Sequence, residues 1–369
     1  MDNWIIVGAV IILLFIFILC TCLCSENFSN LIELRRKVPS SARKLRAKPI
    51  VLDNSFNPNV DKIIAKDISM ASETEPAEFF FELSERFHKG FNENEIERRN
   101  ILRKLYSELN EPETVIMLFF CKKYFKFFKN WVISCEKAGI KVRDKTIAFA
   151  LDSEAQKKSE DYGFKTFLID EKYEKAGGAK KFGDREFAAT MFYKNALIYD
   201  MLQIIPNNKF LLFQDSDLIW FRNPLPYLQN KAKQYQYDIQ MMYDGPNKNY
   251  KNVYANSGFI FITSNDYSKA LFETALRNSA YRFSGGSHQR PLEKIFEHYM
   301  LHNILHLKIL DEKLFLNGHL FKLNGSVDKK LGDNWKEDAF CWHFSWAVDE
   351  EEKFKKLDMY GLNYIKDEL

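Results

Sequence analysis

From Thr114 onward, short apolar runs alternate with longer stretches of helical period, and this alternation restricts the fold more than any other feature of the chain. "TVIMLFF" (114–120), "TIAFALD" (146–152), "FKTFLID" (164–170) and the "FLLF" of 210–213 are continuous apolar runs of strand length. Between them, "KYFKFFKNWVISCEKAG" (123–139) has helical spacing and ends at Gly139. "SEAQKKSEDYG" predicts a helix capped by Ser153 and stopped by Gly163. "FAATMFYKNALIYDMLQII" (187–205) predicts a long helix. Strands without polar alternation, each followed by a helix, predict a mostly parallel α/β sheet covered on both faces. Such sheets bind ligands at the carboxyl ends of their strands. Asp152 and Asp215 are expected at two of those ends.

In "NKFLLFQDSDLIWFRNPLPYL" (208–228) a greasy strand runs into Asp215 and Asp217, then returns to Leu218–Phe221. Paired carboxylates beside a buried strand are costly unless a cation neutralises them. Carboxylate oxygens suit Mn²⁺ or Mg²⁺, so a divalent metal is the expected partner. Such an ion can bridge the phosphates of a nucleoside diphosphate and stabilise it as a leaving group. The competing readings are a solvated turn and an aspartate-nucleophile phosphatase. The latter usually carries its Asp-x-Asp after the first strand of the domain, whereas three strands precede it here. Pro224 and Pro226 are read as ending the strand.

The flanks suggest five regions: an anchor (1–24), a stem (25–76), a helical lead-in (77–112), the α/β domain (113–365) and a short tail (366–369). Trp4–Leu23 is uncharged over twenty residues, enough to cross a membrane. A cleaved signal peptide is the alternative, but the run is long for one and no basic segment precedes it. Basic residues between Arg35 and Lys48 favour a cytosolic body. The terminal Lys366-Asp367-Glu368-Leu369 is an endoplasmic-reticulum retrieval address and favours a lumenal one, which is the expectation adopted, in the ER or Golgi. In the lead-in, helices packed on the domain are expected over Glu78–Phe87 and Glu95–Leu109, the second with Ile101, Leu102, Leu105 and Leu109 on one face. A net charge of +3 gives no case for nucleic acid as a partner. Six cysteines show no zinc or redox spacing and are read as buried or free thiols. Asn324-Gly325-Ser326 is a glycosylation sequon in an expected surface loop.

The ordered motifs resemble one family. "LLFQDSDLIWFRNPLPYL", "FYKNALIYDML", "YANSGFIFITS", "LFLNGHLF" and "WHFSWAVDEEEKFKKLDMYGLNY" are similar to segments of the nucleotide-diphospho-sugar transferases, from about Thr114 to Asn363. This GT-A glycosyltransferase group includes plant cell-wall xylosyl- and arabinosyltransferases. The resemblance implies a Rossmann-like GT-A fold and a nucleotide-sugar donor. It also implies a hydroxyl acceptor on a glycan or protein, Mn²⁺ or Mg²⁺ as cofactor, and retention of anomeric configuration. By the same resemblance Asp215, Asp217 and His343 hold the metal, and Asp152, Lys194, Asn256, Ser257, Gly258 and Lys353 serve the donor. His288 and Gln289 join the two aspartates as catalytic-pocket residues. His288 stands where the family often has Asp, and Ser345 where it usually has Asn. A catalytically degenerate metal- or sugar-binding membrane protein is therefore the second reading. Alternatives stay open residue by residue. His343 is also readable as an aromatic-packed core histidine, Lys194 and Lys353 as surface ion pairs, and Asn256 as a turn former.

Overall fold

A computed structural model of the chain describes residues 91–169, 185–246, 253–277, 289–347 and 349–366. The Trp4–Leu23 segment, the stem, the expected 78–87 helix, His288 and Asp367–Leu369 lie outside the described residues. Among the described residues, no helix is long and apolar enough to cross a membrane.

Helix α1 (Glu95–Glu108) leads into strand β1 (Thr114–Phe120), followed by α2 (Phe125–Lys137), β2 (Thr146–Ala150), α3 (Ser153–Asp161) and β3 (Lys165–Leu168). Helix α4 (Arg185–Ile204) precedes β4 (Phe210–Asp215), and β5 (Leu218–Trp220) comes two residues later. Then come α5 (Leu225–Tyr235), β6 (Ile239–Tyr243), β7 (Ala255–Thr263), α6 (Asp266–Arg277), α7 (Gln289–Leu301), β8 (Leu307–Ile309) and β9 (Phe315–Asn317). Helix α8 (Trp335–Asp338), β10 (Cys341–His343) and α9 (Glu350–Met359) complete the described chain.

The strands form a seven-stranded sheet in the order β3-β2-β1-β4-β7-β6-β8 and a three-stranded sheet in the order β5-β10-β9. In the large sheet β7 alone runs against its neighbours β4 and β6; the other pairings are parallel. All seven residues of β1 are buried, which explains why its sequence shows no polar alternation. The period of two is visible in the packing instead. Val115, Met117 and Phe119 face a core shared with α4, α6 and α7. Ile116, Leu118 and Phe120 face another shared with α2 and α5. A third cluster, built on Trp342, Phe321 and Trp335, sits under the small sheet and α9. The mostly parallel α/β arrangement with helices on both faces is as expected from the sequence. Cys121, Cys135 and Cys341 are buried free thiols.

Three local expectations are corrected. Asp152, not Ser153, caps α3. Strand β2 ends at Ala150, so Asp152 falls in the extended cap position, and its Oδ1 accepts the Ala155 N–H at 2.8 Å. In α1, Ile101 is 43 % exposed, because the buried face runs through Arg98, Leu102 and Tyr106. Arg98 turns that face inward by bonding Asp200 of α4 at 2.5 Å. Pro224 and Pro226 do not end a strand; β5 has already stopped at Trp220, and the prolines open α5, where missing N–H groups cost nothing.

Candidate active site

Strand β4 delivers Asp215 to the carboxyl edge of the sheet, beside Phe119 of β1. Only Ser216 and Asp217 separate it from β5, which leaves the large sheet and pairs antiparallel with β10. That register sets His343 opposite Leu218, and the Phe344 N–H donates to the Asp217 carbonyl at 3.0 Å. His343 is thereby brought against both acids. Its Nε2 lies 3.4 Å from Asp217 Oδ1 and 3.8 Å from Asp215 Oδ2. One ligand atom from each of the three residues falls within 4.8 Å of the others. Ligand atoms about 2.1 Å from a common ion sit roughly 3–4 Å apart, so both histidine separations fit a shared metal. Two hard carboxylates with one imidazole suit Mn²⁺ well.

Gly258 makes this approach possible. Gln214 pairs with Phe259 across β4 and β7, which puts the preceding glycine beside Asp215. A Cβ on Gly258 would lie 2.4 Å from His343 Cε1 and 2.6 Å from Asp215 Oδ2. The glycine is required for space at this position.

Two ammonium groups flank the cluster. Lys194 Nζ of α4 donates to Asp215 Oδ1 at 2.5 Å, and Lys353 Nζ of α9 donates to Asp217 Oδ2 at 2.5 Å. Neither is a surface ion pair: the residues Glu351 and Glu352 bind Lys355 and Lys356 instead. Burial alone would push the Asp217 carboxyl up, but Lys353 and His343 outweigh it and hold the group well below the usual carboxylate range. Burial likewise works against the Lys353 charge, and Asp217 more than compensates, raising that ammonium above its ordinary value.

A second polar group borders the first. Asp244, just past β6, is 6 % exposed. Its Oδ1 accepts from Asn256 Nδ2 at 2.5 Å and its Oδ2 from Gln289 Nε2 at 2.8 Å. Asn256 also accepts the Gly258 N–H at 2.8 Å, and Gln289 accepts from the Ser257 hydroxyl at 3.2 Å. Asn256, Ser257, Gly258 and Gln289 thus form one network around Asp244, whose carboxyl burial pushes above its usual range. Behind it, Glu293 of α7 is 4 % exposed and its Oε1 faces the Ala255 N–H at 3.3 Å. Burial pushes this acid up to about 9, and the nearby Asp244 charge adds to the effect. Sequence reasoning missed Asp244 and Glu293. Asp244 had a usable signal, since it follows the apolar run "IQMMY" as Asp215 follows "FLLFQ". Glu293 had none.

Asp152 stands apart from the metal-type cluster. It lies past β2, on the far side of β1 from Asp215. Besides the α3 cap, its carboxylate accepts the Lys122 N–H at 2.7 Å.

With this geometry in view, comparison with known proteins assigns the class. The profile of the nucleotide-diphospho-sugar transferases matches residues 141–357. The chain belongs to this family, and it is by family a glycosyltransferase that uses a nucleotide-sugar donor. It is 23% identical over 269 residues to the Arabidopsis thaliana UDP-D-xylose:L-fucose alpha-1,3-D-xylosyltransferase 3, covering 69% of this chain and 67% of that one. It is 25% identical over 200 residues to the Arabidopsis beta-arabinofuranosyltransferase RAY1, covering 49% of this chain and 35% of that protein. Among solved structures, mouse xyloside xylosyltransferase 1 aligns with a TM-score of 0.41 and 12% identity, over 64% of this chain and 99% of that one.

Proposed function

We propose that this chain transfers a sugar from a nucleoside-diphosphate donor to a hydroxyl acceptor on a glycan or protein, with retention of configuration and with Mn²⁺ or Mg²⁺ as cofactor. The observation that carries the reading is the convergence of Asp215, Asp217 and His343 between Lys194 and Lys353. Those three residues would hold the ion, which supplies Lewis-acid stabilisation of the departing diphosphate. Lys353 and Lys194 are suited to neutralise phosphate oxygens as point charges once the acids are shared. Asp152 is proposed to serve the donor as well, and His288 and Gln289 to line the reaction pocket.

Charge balance supports the reading. Two carboxylates and two ammonium groups already neutralise one another in a largely buried site. A divalent cation alone would add two positive charges, and a donor diphosphate alone about two negative ones. Together they leave the balance unchanged, so each should favour binding of the other. Calorimetric titration of UDP with and without Mn²⁺ tests this. The metal is expected to strengthen UDP binding on the order of tenfold or more, within the usual range of coupling between sites. Asp217→Asn should abolish the enhancement. Equal UDP affinity with and without metal in the native protein would sink the proposal. The proposal extends to topology: Trp4–Leu23 anchors the chain, and the body faces the lumen of the ER or Golgi. Asn324 sits in an exposed turn, available to glycosylation there. Protease digestion of the body in sealed microsomes would overturn the lumenal assignment.

A further inference from the structure

We infer that the indole of Trp346 is a stacking platform for the acceptor sugar; the inference rests on the transferase reading above. Trp346 is 46 % exposed, unusual for the largest apolar side chain. Its backbone sits at φ 60°, in the left-handed region that favours glycine and penalises a side chain by about tenfold in equilibrium terms. A tryptophan kept exposed in that conformation is one whose ring position matters.

The ring is fixed from several sides. Its Nε1–H donates to the Asp244 carbonyl at 2.8 Å. The His319 ring packs against it with centroids 5.9 Å apart, and the Trp346 carbonyl accepts from Lys356 Nζ at 3.1 Å. Gly245 leaves the room this requires: a Cβ there would collide with His319 and approach Trp346 Cζ2 to 3.2 Å. An indole held by its N–H edge and still exposed presents its apolar surface to solvent.

The same contacts locate it. Trp346 lies three residues past His343 and is bonded to Asp244, whose carboxylate holds Asn256 and Gln289. Asn256 in turn holds the backbone of Gly258, which touches the Asp215–His343 cluster. The platform therefore borders the reaction centre on the β6 side of β4, whereas β1 and β2 lie on the other side. The chain diverges between β1 and β4, and crevices at such a divergence hold nucleotides. That leaves the β6 side for the second substrate. A sugar ring suits the platform. Its axial C–H face is apolar and slightly positive, matching the negative face of an aromatic ring, while its hydroxyls stay wet or meet polar neighbours.

The test uses saturation-transfer NMR with methyl α-L-fucopyranoside and methyl β-D-galactopyranoside, in the presence of UDP and Mn²⁺. Ring C–H protons of at least one sugar should receive saturation from the native protein. Trp346→Ala should weaken that sugar about tenfold, the effect of uncovering roughly 60 Å² of apolar face. Trp346→Phe should retain most of the binding and guards against misfolding as the cause. Calorimetric UDP binding should be unchanged in both variants. Loss of UDP binding in Trp346→Ala would place the nucleobase on the indole and overturn the inference. Full sugar binding by that variant, or no saturation of either sugar by a native protein that binds UDP, would overturn it as well. Failure of UDP binding by the native protein would instead strike the transferase reading itself.

Discussion

Glu293→Gln should stabilise the protein, and by an amount that grows with pH. Glu293 is an acid pushed up to about 9 by burial and by Asp244. In the unfolded chain it titrates near 4.3. Between those values the unfolded state is ionised and the folded state holds a proton. The unfolded state therefore binds fewer protons, and stability falls as pH rises, by about 1.4 kcal/mol per pH unit. Below the unfolded value there is no effect; at pH 7 the accumulated cost is roughly 4 kcal/mol, and it continues to grow until the folded value is passed. Glutamine has nearly the same shape, carries no ionisable proton, and keeps a carbonyl oxygen for the Ala255 N–H. Any constant difference in packing or hydrogen bonding cancels in the slope. Urea denaturation of both proteins at several pH values from 5 to 8 is the assay. The stability difference should widen by about 1 kcal/mol or more per unit in favour of the glutamine variant. Parallel curves would show that Glu293 is ionised in the fold, and the reasoning from burial would be refuted.

Gly258→Ala should weaken Mn²⁺-dependent UDP binding about 10–100-fold, as loss of support for metal-binding side chains does, because its Cβ would meet both His343 and Asp215. Unchanged binding in calorimetry would mean that the acids and His343 need not be this close. Asp200→Ala strands the guanidinium of Arg98, which is 2 % exposed, and should cost about 3–5 kcal/mol in urea unfolding. A loss below about 1 kcal/mol would mean that Arg98 finds water or another acid.

Much of this architecture was legible because burial writes itself into residue type. The runs 114–120, 146–150 and 210–213 lie inside the sheet with both faces covered, so nothing polar interrupts them. The direction of β7 was not legible. A fully buried strand reads the same whether it runs with or against its neighbours. The small sheet was equally hidden, since "LIW", "FLN" and "CWH" are too short to show a period. Asp215 and Asp217 announced themselves by interrupting an apolar run, while His343 entered through family resemblance, not through any pattern of its own. Ile101 misled because apolar spacing was read without allowing for a charged residue on the buried face. Arg98 occupies that face, and Asp200, the partner that admits it, lies over a hundred residues away. Asp244 carried the same kind of signal, an acid ending an apolar run, and went unread; Glu293 is an acid in unremarkable sequence, and only the fold reveals what surrounds it.

Asp217 and Lys353, which neutralise each other, are 136 residues apart in the chain. Strands β1 to β4 make their parallel contacts without the small sheet, so a growing chain is able to assemble most of the large sheet first. His343 and Lys353 arrive only with the final elements. Until they dock, Asp217 has neither of the groups that make its burial tolerable, and water must supply the compensation. The closed, charge-balanced form of the centre therefore depends on the C-terminal elements. A chain lacking these elements would leave Asp217 without either partner.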